Sequence, residues 1–220
     1  VSSSSRPPPH AGHHMLPLLV SDVEAVAPEL HVPRHVDEVD AGFITSVFRG
    51  RGLIDAHCTC TQVRICAQES SVGGYFSNIY FVGLDWDITT VAAGDYTPPS
   101  SICLKLPPFG GGPRVEKMFE REACGYALLE AHPVLPHPRP YLLVSDARVH
   151  THMLLLEDMR PLQPPGMCSS LDVAIMRRVV ASLARFHAHF WGHGERPGQL
   201  GLPDHLGFPF GSMVRKGHKA

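Results

Sequence analysis

The chain has 220 residues, 44% of them hydrophobic, which suits one ordinary domain or a small lobe joined to part of another. Lys and Arg number 19 against 21 Asp and Glu, so no basic surplus points to nucleic acid and no polybasic run points to an anionic membrane. The longest apolar runs, such as Met15–Val20 and Met153–Leu156, are far too short to span a bilayer, and no apolar signal core opens the chain.

Without a secretory signal, Cys58, Cys60, Cys66, Cys103, Cys124 and Cys168 are expected as free thiols in a reducing, cytoplasmic setting. Residues 1–34 carry Ser2–Ser5, Pro7–Pro9 and the cluster His10, His13 and His14, and read as a largely flexible tail. From Asp37 the pattern changes. Val39, Phe43, Ile44, Val47 and Phe48 fall at helical spacing, and Gly50 and Gly52 end the run. Three strand-like stretches follow: Gln62–Cys66, Tyr75–Leu84 and Ser101–Leu106, the last closed by Pro107 and Pro108. Asp95–Ser100 reads as a turn-rich connection between the second and third.

Gly110–Pro113 opens a helix expected from about Arg114 to Glu130. Tyr141–Val144 and His152–Leu156 form a further pair of strands, and Pro161–Gly166 a linker. A second helix is expected over about Ser170–Trp191, with Ser170 as its N-cap and Asp172 in its first turn. After Gly192 the sequence becomes rich in Gly, Pro, His and basic residues. The sum is an α+β protein: a small antiparallel sheet carrying one helix, a connector, and the start of a helical region.

The residues that carry chemistry lie on these elements. Glu122 has Met118, Phe119, Tyr126 and Leu129 at helical spacings around it, which sets a carboxylate in an apolar stripe. Such a group needs a cationic partner, and Lys105 is the one charge in the apolar strand Ser101–Leu106. Either residue alone is more often a solvated edge charge. A lysine on a strand paired with a glutamate on the next helix is, however, the device with which protein-kinase-like folds hold the α- and β-phosphates of ATP. Gly73 and Gly74 lead through Ser77 and Asn78 into a strand, where paired glycines bring backbone N–H groups close to phosphate oxygens or simply make a turn. Leu154–Leu156 breaks into Glu157, Asp158 and Met159, an extended connector with backbone groups for an adenine edge, or a strand ending at the surface. His57, Cys58, Cys60 and Cys66 are close in sequence but lack the paired spacing of a zinc site, and incidental cysteines are the better reading. His187, on a face with Leu183, Phe190 and Trp191, is expected as a core histidine. Cys103 and Cys124 read as small core residues.

Four segments in order carry a resemblance. Ile102–Pro108 (ICLKLPP), Phe119–Leu129 (FEREACGYALL), Leu154–Met159 (LLLEDM) and Leu183–Trp191 (LARFHAHFW) resemble successive landmarks of the CHK kinase-like, or ecdysteroid-kinase-like, family, which is related to aminoglycoside and choline phosphotransferases. Phe43–Phe48 and Gly73–Tyr80 are similar to its opening helix and loop. The resemblance covers roughly residues 33–195 and implies a kinase-like N-terminal lobe over 35–156. A hinge and the start of a helical C-terminal lobe would follow over 157–195, with an irregular tail over 196–220. It makes Lys105 the phosphate-binding lysine, Glu122 its partner, Gly73–Asn78 the phosphate loop and Glu157–Met159 the adenine hinge. The family commonly has Phe-Tyr where this chain has Gly125–Tyr126.

The implied partners are ATP and, in a complete parent, Mg²⁺ and a small-molecule hydroxyl acceptor. The family's H-G-D…N loop and later metal-binding Asp have no counterpart here. Asn78 is the single Asn in the chain and precedes the lysine, while His193–Gly194–Glu195 is a decoy with no Asn after it. The expectation is a phosphotransferase fragment able to bind nucleotide but inactive alone. A pseudokinase or scaffold module, or a truncated gene product, are the alternatives.

Overall fold

A computed structural model describes residues 19–20, 31–66, 77–87, 97–108, 110–146, 149–162 and 172–191. Its centre is a six-stranded sheet made of β1 (Leu19–Val20), β2 (Thr59–Cys66), β3 (Asn78–Asp87), β4 (Ser101–Leu106), β5 (Pro140–Asp146) and β6 (Thr151–Glu157). The spatial order is β1-β5-β6-β4-β3-β2. Strands β2 to β6 pair antiparallel throughout, and β1 adds in parallel to the outer edge of β5. Three helices accompany it: α1 (Ala41–Gly50), α2 (Pro113–Ala131) and α3 (Val173–Phe190). The class is α+β.

Strand alternation sorts the sheet into two unlike faces. On β4, Ile102, Leu104 and Leu106 are buried while Ser101, Cys103 and Lys105 are only partly so. The first set joins Val82, Leu84, Tyr141, Met153 and Leu155 against Phe43, Ile44, Val47 and Phe48 of α1. Asp40 caps α1 by accepting from the Phe43 N–H at 2.7 Å, and Gly52, at φ +60°, turns the chain away after its last turn. Thr45 fastens this helix to the sheet. Its Oγ1 accepts from the Cys60 N–H at 2.9 Å and donates to the Ala41 carbonyl at 2.7 Å.

The opposite face is covered by α2, whose Phe119 and Ala123 pack on Leu143, Leu154 and Leu156. Pro113 opens α2 in the first-turn position where its missing N–H costs nothing. The expected lobe of one sheet and one helix therefore has a helix on each face. Leu19–Val20 and the buried Val32 and Val39 also belong to the sheet or its core, within or beside the segment read from sequence as a tail. The packed body begins before residue 35.

Helix α3 is set apart. Its N-cap is Asp172, which accepts from the Ala174 N–H at 2.6 Å, where the sequence suggested Ser170, a residue outside those described. None of its residues is buried. Its C-terminal end meets α2 through His189, 3.3 Å from His132, and through Phe190, edge-on to the same ring. His187 is exposed on this helix, so the expectation of a core histidine fails: among the described residues nothing covers the helix at that point. Among the described residues no helix is long and apolar enough to cross a membrane.

Candidate functional site

The α2 face of the sheet collects the polar groups. Lys105 projects there because β4 alternates, and Glu122 projects toward it because it lies one turn beyond Phe119, the residue that anchors α2. The two form an ion pair, Lys105 Nζ to Glu122 Oε1, with side chains 17% and 34% exposed. The stripe around Glu122 is rotated from the sequence reading. Met118, expected inside, is 38% exposed, and the buried face runs through Phe119, Ala123 and Cys124 instead.

Two neighbours shape this pair. Tyr126, one turn after Glu122, hydrogen-bonds its carboxylate. Burial, then the Glu122 charge, pushes the phenol up to about 12. Cys103, two residues before Lys105 on the same side of β4, has its thiol pushed up to about 11 by burial, with the lysine charge opposing. Cys124, on the buried side of α2, is raised by burial to about 12. Burial disfavours the thiolate form of both cysteines. The sequence reading did not include Tyr126 or Cys103 in the site. Their spacings of i+4 from Glu122 and i−2 from Lys105 were the available signals.

The segment expected as an adenine hinge has its polar groups more occupied than the sequence suggests. The Glu157 N–H donates to the Arg139 carbonyl at 2.8 Å, and its Oε2 accepts from the Arg139 N–H at 3.0 Å, which binds Glu157 to the strand beside it. The Met159 carbonyl accepts from the Leu162 N–H at 3.0 Å. Asp158 turns inward. Its side chain is 3% exposed and accepts from Arg160 through the backbone N–H at 3.0 Å, Nε at 3.1 Å and Nη2 at 2.7 Å. Burial raises its carboxyl but the Arg160 and Ser101 hydrogen bonds outweigh that, leaving it below the usual Asp range. The Arg160 guanidinium carbon lies 3.9 Å from the centre of the Phe81 ring. Phe81 pairs with Cys103 across β3 and β4, and Ile79 pairs with Lys105, so ring, thiol and ammonium share one face.

The residues expected to form a phosphate loop divide. Gly73 and Gly74 lie outside the described residues. Ser77 directly precedes β3, and Asn78 opens that strand opposite Leu106. Strand parity therefore puts Asn78 on the α1 side, away from Lys105, because a one-residue step on a strand reverses the face. It lines a cavity of about 570 Å³ at that end of the sheet, with Tyr80, Leu106, Glu116, His150 and His152. Among the described residues no cluster of three or more His, Cys, Asp and Glu could hold a metal ion. Cys60 and Cys66 stand near opposite ends of β2, about 20 Å apart along the strand, which separates the zinc candidates.

Comparison with protein-family models, with curated proteins and with solved structures finds no match to this chain.

Proposed function

We propose that this chain is the nucleotide-gripping part of a small-molecule kinase of the CHK kinase-like kind, binding ATP on the α2 face of its sheet. The observation that carries this reading is the Lys105–Glu122 ion pair. The lysine stands on the third strand of the five-stranded antiparallel sheet β2 to β6, and the glutamate on the helix that follows it. The ammonium would hold α- and β-phosphate oxygens, and Glu122 keeps it extended and oriented before the nucleotide arrives. The face fits the rest of a nucleotide. From Ile102, opposite Glu157, to Lys105 is three residues, about 10 Å of strand, with the Phe81 ring and Cys103 between. The base would then lie at the hinge end and the phosphates at the loop end.

Bound ATP supplies the transferable γ-phosphoryl group, and this chain's residues bind and orient it. The residues fit Mg²⁺ poorly. No acidic cluster faces Lys105 among those described, and the single Asn is on the other side of the sheet. Transfer to a small-molecule hydroxyl is therefore proposed only for a longer polypeptide that adds an Asp and an Asn of the kinase catalytic loop. The second reading, a nucleotide-binding pseudokinase or scaffold module, is favoured by that same lack within these residues.

Thermal unfolding with ATP, with and without Mg²⁺, tests the reading. At ten times Kd the midpoint is expected to rise by about 3–6 °C. Lys105→Ala removes the rise. No stabilisation in either condition overturns nucleotide binding, and a rise that survives Lys105→Ala overturns the site.

A further inference from the structure

We infer that Arg160 is a gate on the base-binding end of this face, occupying in the free protein the place that a nucleobase takes. The inference rests on the nucleotide-binding reading above, and it concerns a residue which that reading does not use.

The geometry is specific. A flat guanidinium lies 3.9 Å from the centre of the Phe81 ring, a contact distance that leaves no room for another flat group between them. Phe81 is 9% exposed, and it pairs with Cys103, which places it between the hinge and the Lys105 ammonium. Any base stacking on this stretch of sheet must displace the guanidinium. The gate is held by Asp158, whose side chain is 3% exposed and accepts from the guanidinium through Nε, shared by both oxygens at 3.1 Å, and Nη2 at 2.7 Å, while the Arg160 backbone N–H donates to Oδ1 at 3.0 Å. The Arg160 side chain itself is 41% exposed, so it can leave toward water while Asp158 stays in place. A buried carboxylate, an exposed flexible cation and an aromatic floor make a latch with a fixed half and a movable half. The ring contact and the guanidinium's bonds to Asp158 are lost on opening while the backbone N–H bond stays, so ATP binding is weakened by whatever the guanidinium contributes.

The test is calorimetric titration of the full 220-residue chain with ATP, comparing wild type with Arg160→Ala, Arg160→Met, Phe81→Leu and Lys105→Ala. Arg160→Met keeps the aliphatic stem, so the measurement survives if Arg160→Ala folds poorly. Opening the gate is expected to tighten ATP binding by roughly 3- to 10-fold in both Arg160 variants, the range for one exposed or partly desolvated cation–ring contact. In a Phe81→Leu background the Arg160 change is expected to give less of a gain. Binding that is unchanged or weakened in both Arg160 variants, with Lys105→Ala still abolishing it, overturns the gate and leaves the nucleotide site standing. Binding by an Arg160 variant but not by wild type supports the gate in its closed extreme. Binding by neither overturns the gate and the nucleotide reading together.

Discussion

The two faces of the sheet are made by the same strands and differ in nearly everything else. On the α1 face, Ile102, Leu104, Val82, Met153 and Leu155 are all fully buried, and the helix above them contributes Ile44 and Phe48, equally buried. On the α2 face, the same β4 presents Ser101, Cys103 and Lys105, and the helix above adds Glu122 and Tyr126. One face is closed by hydrocarbon throughout. The other is closed in part by Phe119 and Ala123 on Leu143, Leu154 and Leu156, and beside that packing it carries the half-buried Lys105–Glu122 pair. A residue's parity along β4 decides which job it has.

The comparison is broken most readily at Leu104. This side chain is 0% exposed, and Leu104→Ala is expected to cost about 2–5 kcal/mol by lost burial and a residual cavity. Equilibrium denaturation by urea measures it. A loss below about 1 kcal/mol would mean that the α1 face is not the packed one.

The next effect is a pH dependence at His152, where the α2 face closes near the β5–β6 turn. The ring is 3% exposed, its Nε2 has no hydrogen-bond partner, and its Nδ1 is 3.0 Å from Ser145 Oγ. Burial holds its pKa below 6.5, although Glu116, Glu120 and Asp146 oppose the shift and His150 adds to it. The folded state therefore binds its proton less readily than the unfolded chain. Stability is full above the unfolded value and falls as pH drops below about 6.5, with a slope of up to about 1.4 kcal/mol per pH unit until the folded pKa is reached. Denaturation at pH 7.5 and 5.5 measures the fall, and His152→Gln is expected to reduce it. An undiminished fall in that variant would assign the titration elsewhere.

Much of this was legible in the sequence, and the misses have physical causes. The antiparallel strands, α2 and the Lys105–Glu122 couple follow from alternation, helical period and the need of a half-buried carboxylate for a cation. The face that Asn78 occupies was not legible, because a single residue of register reverses a strand's side chains and register depends on the pairing with Leu106. His187 was misjudged because an apolar stripe announces a face and not a partner. On α3, Val173, Val179, Val180 and Leu183 are between 48% and 65% exposed. Arg160 over Phe81 could not be foreseen, since the two are 79 positions apart and meet only when the chain folds back after β6.

Gly125 sharpens the contrast from the helix side. It sits inside α2, and a Cβ built there meets nothing within 4 Å. Gly125→Ala is expected to stabilise by about 0.5–1 kcal/mol, because it removes unfolded-state freedom without a clash. The unfolding midpoint in urea should rise at unchanged m-value. A loss of stability would mean that α2 lies closer to its surroundings than the open space at Gly125 implies.

Lys105 gives the smallest change in stability and the sharpest comparison, being the immediate neighbour of Leu104 on the opposite face. Lys105→Met keeps the aliphatic stem and removes the charge. Glu122 is 34% exposed, so water can take over much of what the ammonium supplied, and the cost is expected to stay within about 1 kcal/mol. The same substitution should abolish the thermal stabilisation by ATP. Adjacent residues of one strand would then separate cleanly: Leu104→Ala lowers stability, while Lys105→Met removes the response to nucleotide. If Lys105→Met instead costs as much as Leu104→Ala and ATP still stabilises what remains folded, the ion pair is a structural clasp between β4 and α2 and not a nucleotide grip.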